Sequence, residues 1–211
     1  MYDNYKQMSA EEKAQTKQIY KNIRKEACWT LSNVTAGTPE QIQSAINAGV
    51  FPKLIELLQC SEFDIQKEAA WAVSNATSGG SPEQVLYLAQ QNAIAPLCSL
   101  LVVADSKVVT VALEGLENIL KAAQSAGEQI FNRVASMVND AGGVASIEEL
   151  QNHENQAIYA RAVKILETYF GAEEESESAI APEVVSGADG QQQFNFGGGV
   201  QPPQQGGFRF G

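Results

Sequence analysis

Two segments of the sequence carry the same uncommon set of side chains at the same spacing. The segment KEACWTLSN at 25–33 returns as KEAAWAVSN at 67–75, so the second tryptophan follows the first by 42 residues. In each copy a glutamate comes three residues before the tryptophan and an asparagine four residues after it. The six side chains are Glu26, Trp29, Asn33, Glu68, Trp71 and Asn75. Residues three, four and seven apart share a helix face, so each set predicts a stripe along one helix.

A pair of such stripes suits an extended basic peptide. Asparagine can donate to a backbone carbonyl and accept from a backbone N–H, so it can hold a peptide of any sequence. Two neighbouring indole faces form a slot for the stem of a lysine or arginine, with a cation–π attraction of roughly 0.5–2 kcal/mol for each contact. A glutamate at the rim adds the opposite charge. Because each contact is weak, affinity must come from several slots at a fixed pitch.

The alternative interpretation is structural. A tryptophan on a helix is more often a core residue than part of a site, and an asparagine near a helix end often bonds to its own backbone. For one copy this alternative would be favoured. Two copies favour a site, because core packing does not require the same Glu and Asn in both segments. Ser32 and Ser78 lie close by and are added as candidate polar contacts.

Two further blocks return in the same order at nearly the same period. TPEQIQSAINAG at 38–49 matches SPEQVLYLAQQNA at 81–93, and NAGVFPKLIELLQC at 47–60 matches QNAIAPLCSLLVVA at 91–104. The first block of each copy opens with Thr or Ser, then Pro, then Gln two residues later, which predicts a helix start with a capping box. The second block shows apolar residues at helical spacing. No strand alternation is apparent in the chain.

Three helices in a repeat of 42 to 44 residues cannot bury their apolar faces alone, whereas stacked copies can. Weaker copies follow at 107–120, where Glu114 takes the tryptophan position and Asn118 the asparagine position, and at 158–170. We therefore predict an all-α solenoid of the armadillo or HEAT type, and of the two we favour an armadillo-repeat, right-handed superhelical solenoid of about three and a half repeats.

Three segments are expected along the chain. A divergent N-terminal helical segment is predicted at 1–21, the armadillo repeats at 22–170, and a disordered acidic tail rich in Gln, Gly and Phe at 171–211.

Composition excludes several functions. The net charge of −11 disfavours nucleic acid and anionic membranes and favours cationic partners. The sequence has no apolar run long enough to span a membrane. Cys28, Cys60 and Cys98 lack metal or disulfide spacing and are expected to be reduced and buried. His153 is the only histidine, so we expect no catalytic triad, no metal, no cofactor and no enzyme.

The repeated motifs resemble importin α, the adaptor family that carries proteins bearing nuclear-localisation signals. KEACWTLSNVTAGTPEQIQ, KEAAWAVSNATSGG, LENILK and KILETYF resemble the later armadillo repeats of that family, from about Asn22 to Gly171. The resemblance implies a minor cargo site, which holds the shorter basic cluster of a bipartite signal. The residues that match it are Glu26, Trp29, Ser32, Asn33, Glu68, Trp71, Asn75 and Ser78.

The resemblance also implies partners and a location. Members of the family bind basic cargo signals, contact an export receptor through their last repeats, and work in the cytoplasm and nucleus. They begin with an Arg/Lys-rich segment that binds importin β. The sequence shows no such segment and no repeats for the major cargo site, which puts binding of importin β in doubt.

The tail contains two short aromatic motifs. FNFG at 194–197 and FRFG at 208–211 fit the FxFG pattern of nucleoporin repeats, which transport receptors recognise. Paired phenylalanines on an extended chain can dock in shallow pockets between receptor helices. The candidate contact residues are Phe194, Phe196, Phe208 and Phe210. Incidental aromatics in a low-complexity tail are the alternative.

The sequence thus favours an adaptor that binds nuclear-localisation peptides. One rival is another armadillo scaffold, whose binding would be indifferent to Lys and Arg in the ligand. A second rival is a regulatory fragment that binds the export receptor or nucleoporins through its last repeats and tail. In that case Trp29 and Trp71 would be dispensable.

Overall fold

The computed structural model describes Lys6, residues 8–60, residues 62–171, and two short strands at 183–186 and 192–195. Within these residues the chain forms ten α-helices, all in a compact unit that ends at Gly171, and the two strands belong to a second unit that begins at Ala172. The helices are α1 (Ala10–Thr35), α2 (Pro39–Asn47), α3 (Phe51–Cys60), α4 (Phe63–Gly79), α5 (Pro82–Gln90), α6 (Ile94–Ser99), α7 (Ser106–Ser125), α8 (Glu128–Asp140), α9 (Gly143–Glu149) and α10 (Gln156–Tyr169). Short 3-10 turns extend α6 through Leu100–Val102 and α9 through Leu150–Asn152.

The helices repeat in threes. Helices α2–α4, α5–α7 and α8–α10 each form one repeat unit of three helices. Helix α1 takes the place of a third helix before the first repeat unit. The third helices pack in order, α1 against α4, α4 against α7, and α7 against α10. This arrangement is the predicted all-α armadillo solenoid.

The helix starts confirm the capping pattern read from the sequence. The backbone N–H of Thr38 donates to Gln41 Oε1 at 2.9 Å. The backbone N–H of Ser81 donates to Gln84 Oε1 at 3.0 Å, and Gln84 returns a bond to the hydroxyl of Ser81. At the start of α5, two backbone N–H groups that would otherwise lack a partner are therefore hydrogen-bonded.

The core lies where the third helices meet the shorter ones. Helix α4 buries Ile65, Ala69 and Val73 completely, and α7 buries Leu113 and Leu116. Small residues dominate the buried face of α4, which lets α1 and α7 approach it from both sides. Each unit thus shares its apolar surface with its neighbours, as the sequence predicted.

A close approach ties α6 to α9. Cys98 is buried, and a Cβ atom added at Gly143 would lie 2.6 Å from its sulfur. A glycine is therefore required at the start of α9. Burial raises the pKa of the Cys98 thiol to about 12. Cys28 is also buried and free, while the side chain of Cys60 lies outside the described residues.

Polar contacts connect neighbouring units away from the core. Gln84 Nε2 donates to the carbonyl of Pro39 at 3.0 Å and to Gln43 Oε1 at 2.8 Å. Lys67 pairs with Asp105 at 2.9 Å, and this hydrogen bond lowers the pKa of the Asp105 carboxyl below its usual range. These contacts join α2 to α5, and α4 to the start of α7.

Helix α1 runs without a break across the boundary that the sequence placed after residue 21. No glycine or proline interrupts this stretch, so the helix continues from its capping box at Ser9 and Glu12 to Thr35. Residues 10–21 therefore extend the same helix that carries Trp29.

Two short antiparallel strands were not expected from the sequence. The strand β1 (Glu183–Ser186) pairs with β2 (Gln192–Asn195), with Val184 opposite Phe194. Each strand has four residues, which is too short for an alternation pattern to stand out. The rest of the predicted disordered tail lies outside the described residues, as do Phe196, Phe208 and Phe210.

In the helices that the structure describes, no single one is both long and apolar enough to cross a membrane. The pair formed by α5 and by α6 with its 3-10 turn meets that measure only when taken together, and it is bent by 81°.

Candidate peptide-binding surface

The two tryptophans lie on neighbouring third helices, and both are exposed. Trp29 on α1 leaves 54% of its surface accessible, and Trp71 on α4 leaves 37%. Cys28 beside Trp29 and Ala72 beside Trp71 are both buried. Large aromatic side chains left in solvent beside a packed core do not serve that core. The structural alternative for the tryptophans therefore loses its main support.

The two asparagines make different hydrogen bonds. Asn33 Nδ2 donates to the carbonyl of Trp29 on its own helix at 3.0 Å, which is the local bond that the structural alternative anticipated. Asn75 Nδ2 instead donates to the carbonyl of Ser32 on the preceding third helix at 3.0 Å. Each amide keeps its oxygen and a second N–H for other partners. The bond from Asn75 also holds its amide in place over the junction of α1 and α4.

The two candidate serines differ in access. Ser32 is buried, and its hydroxyl donates to the carbonyl of Trp29 at 2.8 Å, so the structure does not present it on the surface. Ser78 is exposed; its hydroxyl donates to the carbonyl of Ser74 at 3.2 Å and accepts from Asn118 Nδ2 at 3.1 Å.

The carboxylates lie on the same two helices. Glu26 is exposed and Glu68 is half-buried. Burial, and then the nearby negative charge of Glu68, raise the pKa of the Cys28 thiol, which lies behind the stripe on α1. Glu68 therefore contributes negative potential at the junction of α1 and α4.

The side chains on α1 and α4 form two successive rows, which we call rungs. A third rung on α7, formed by Glu114 and Asn118, continues this surface. Asn118 bonds back to α4 through Thr77 Oγ1 at 3.2 Å and Ser78 Oγ at 3.1 Å, as Asn75 bonds back to α1. Glu114 takes the position of the tryptophan. The rung is thus continuous with the first two but carries a carboxylate in place of an indole.

Two cationic side chains of α10 already form ion pairs with the carboxylates on α7. Arg161 Nη2 lies 3.0 Å from Glu114 Oε1, and Arg161 Nη1 lies 3.4 Å from Glu117 Oε2. Lys164 Nζ lies 2.7 Å from Glu117 Oε1, and this bond raises the pKa of the Lys164 ammonium. Sequence reasoning missed Glu117, Arg161 and Lys164. The available signal was an acidic pair and a basic pair, each three residues apart, on successive third helices.

Within the part of the chain that the structure describes, no group of three or more His, Cys, Asp or Glu side chains is placed to hold a metal ion.

Comparison with known proteins identifies the repeats. Residues 38–78 and 81–121 each match the Armadillo/beta-catenin-like repeat, and residues 132–183 match the atypical Arm repeat. A solved designed armadillo repeat protein in complex with the peptide (KR)4 superposes with a TM-score of 0.59 at 34% identity, covering 69% of this chain and 57% of that one. The chain is an armadillo-repeat protein.

The curated relatives indicate which group of armadillo-repeat proteins the chain is similar to. Importin subunit alpha-4 of Arabidopsis thaliana is 50% identical over 195 residues, which is 90% of this chain and 35% of the relative. Importin subunit alpha-1b of Oryza sativa subsp. japonica is 53% identical over 194 residues, with coverage of 90% and 35%. Importin subunit alpha of Saccharomyces cerevisiae is 46% identical over 124 residues, with coverage of 54% and 23%. Within the armadillo-repeat proteins, the chain is similar to these importin α subunits, and it spans about a third of the length of the curated plant relatives it matches.

Proposed function

We propose that this chain binds Lys/Arg-rich nuclear-localisation peptides along α1 and α4, as an adaptor for protein import that moves between cytoplasm and nucleus. Lysine or arginine stems would lie between Trp29 and Trp71, while Asn33 and Asn75 hold the peptide backbone. Glu26, Glu68 and Ser78 would line the rim. The role is one of binding, with no chemical step.

The exposure of both indoles carries the proposal. Two tryptophans, 42 residues apart in sequence, stand on adjacent helices with 54% and 37% of their surfaces accessible. An exposed indole face attracts a cation, and a half-buried carboxylate beside it adds to that attraction. The relatives support the same function by name, and the designed armadillo protein supports the ligand class through its (KR)4 peptide.

The first prediction tests the indoles directly. A fluorescent bipartite signal peptide is titrated with the wild type and with Trp29→Ala/Trp71→Ala, at two salt concentrations. We expect the affinity of the double variant to fall at least about fivefold, because two cation–π contacts of about 0.5 kcal/mol each sum to about 1 kcal/mol. Wild-type binding should weaken at the higher salt, since charge attraction is screened.

Phe63→Ala is the matched control. Phe63 is an aromatic residue on α4 with 40% of its surface exposed, and it lies eight residues before Trp71 and outside the stripe. Its removal should leave peptide affinity unchanged. Equal binding by the wild type and the double variant would contradict the proposal. In that case the functional parts would be the last repeats and the tail, with the export receptor or nucleoporins as the partners expected in the alternative interpretation.

A further inference from the structure

We propose that Arg161 and Lys164 are resident cations that end the basic-peptide surface after Trp71. They would thereby set the length of the Lys/Arg cluster that the chain accepts. This inference rests on the proposed function, because it concerns where the same surface stops.

The third rung offers carboxylates to a cation of the peptide, although it has no indole. Glu114 follows Trp71 by 43 residues and Asn118 follows Asn75 by the same interval. Helix α7 packs on α4 as α4 packs on α1, and Asn118 reaches back to Ser78 at 3.1 Å. A peptide that follows the asparagines along the surface would therefore meet the carboxylates of α7 next.

Those carboxylates already have partners. Arg161 bridges Glu114 and Glu117 at 3.0 and 3.4 Å, and Lys164 holds Glu117 at 2.7 Å. Two negative and two positive charges leave the rung neutral. A cation of the peptide arriving here would have to displace a tethered cation, whose effective concentration is high because it belongs to the same chain.

The first two rungs differ in this respect. Trp29 and Trp71 present indole faces with no arginine or lysine stacked on them among the described contacts, and Glu26 is exposed. The attraction for external cations is thus concentrated on α1 and α4 and falls away on α7. A short basic cluster would fit this surface, and further basic residues toward α10 would add nothing.

Removal of the resident cations should lengthen the surface. Three peptides are compared by titration: a short basic cluster, and the same cluster extended by two lysines at its N-terminus or at its C-terminus. In Arg161→Gln/Lys164→Gln, we expect one of the two extended peptides to gain about two- to fivefold in affinity, the range for partly exposed ion pairs. The short peptide and the other extension should bind as they do to the wild type.

Two further variants separate the inference from general charge effects. Lys53→Gln/Arg133→Gln removes two exposed cations of α3 and α8 and should give no selective gain. Glu114→Gln/Glu117→Gln keeps the resident cations without their partners, and should weaken the same extended peptide relative to the short one. This opposite effect remains measurable if the Arg161/Lys164 variant folds poorly.

The outcomes are distinct. Equal changes for all three peptides, or the same gain in the charge-matched control, would overturn the inference and leave the proposed function standing. Failure of the wild type to bind even the short peptide would overturn the proposed function, and the inference with it.

Discussion

At the scale of single residues, the candidate peptide-binding surface includes asparagines that already make hydrogen bonds within the protein. Asn33 bonds within its helix, Asn75 bonds to the carbonyl of Ser32, and Asn118 bonds to the hydroxyls of Thr77 and Ser78. A tethered amide loses little freedom when it binds a peptide, so less of the binding energy is lost to ordering. The asparagines on α4 and α7 therefore tie neighbouring repeats together, and under the proposed function Asn75 also presents its amide to a peptide.

This difference gives a prediction for the asparagines. Asn75→Ala should lower both the free energy of unfolding, by about 1 kcal/mol for one lost hydrogen bond, and the affinity for the basic peptide. Asn33→Ala should lower affinity alone, because it removes only a local bond and alanine is the better helix former. Thermal unfolding and peptide titration of both variants check this. Equal stability losses in the two would show that the contact between Asn75 and Ser32 does not stabilise the fold.

At the scale of elements, the junction between α4 and α7 depends on the start of α7. Asp105 caps α7 by accepting from the backbone of Lys107 at 3.0 Å and of Val108 at 3.3 Å. Its second oxygen accepts from Lys67 of α4 at 2.9 Å. One carboxylate thus begins one helix and ties it to the helix before it.

The two roles of Asp105 can be separated by substitution. Asp105→Ala should cost about 1 kcal/mol for the lost cap. Asp105→Asn keeps a capping oxygen and loses the ion pair, so its loss should be smaller. Because Lys67 lowers the pKa of Asp105 in the folded state, the pair stabilises the protein above the unfolded pKa of aspartate and is lost as the pH falls through the folded pKa. Thermal unfolding from neutral to acidic pH should show the wild type converging on Asp105→Asn, and a constant difference would contradict this.

The sequence was informative where the signal was local. The proline and glutamine at fixed offsets after Thr38 and Ser81 predict helix starts. The common period of the repeated blocks, including the tryptophans, predicts a solenoid of stacked repeats. The buried position of Ser32 could not be deduced, since it depends on how α1 rotates against α4. The ion pairs between α7 and α10 join residues 44 or 47 apart, such as Glu114 and Arg161, and no local pattern specifies which charges meet. The two four-residue strands were missed because they are too short to show a period.

At the scale of the whole molecule, burial is uneven along the solenoid. Helix α1 buries only Cys28, Ser32 and Thr35, all in its last third, and leaves Ile19, Tyr20 and Ile23 at least half exposed. Helices α4 and α7 are packed on both sides. In a solenoid, stability is approximately the sum of contacts between neighbours, so it should be lowest in the first half of α1, which buries the least surface.

Hydrogen exchange should reveal this gradient. Amides of residues 10–22 are expected to exchange fastest among the helices of the repeats, and those in the middle of α4 and α7 slowest. Measurement of exchange by mass spectrometry resolves these peptides. Uniform protection along α1, α4 and α7 would contradict the gradient.

The exposure of Trp29 and Trp71 has a consequence for how such a protein can change over generations. Most substitutions that harm a protein do so by lowering its stability toward the threshold for folding. Because these indoles stand outside the core, their replacement should have little effect on folding, whereas under the proposed function it would alter affinity. A lineage could therefore tune, weaken or lose ligand binding one substitution at a time while it keeps an intact scaffold.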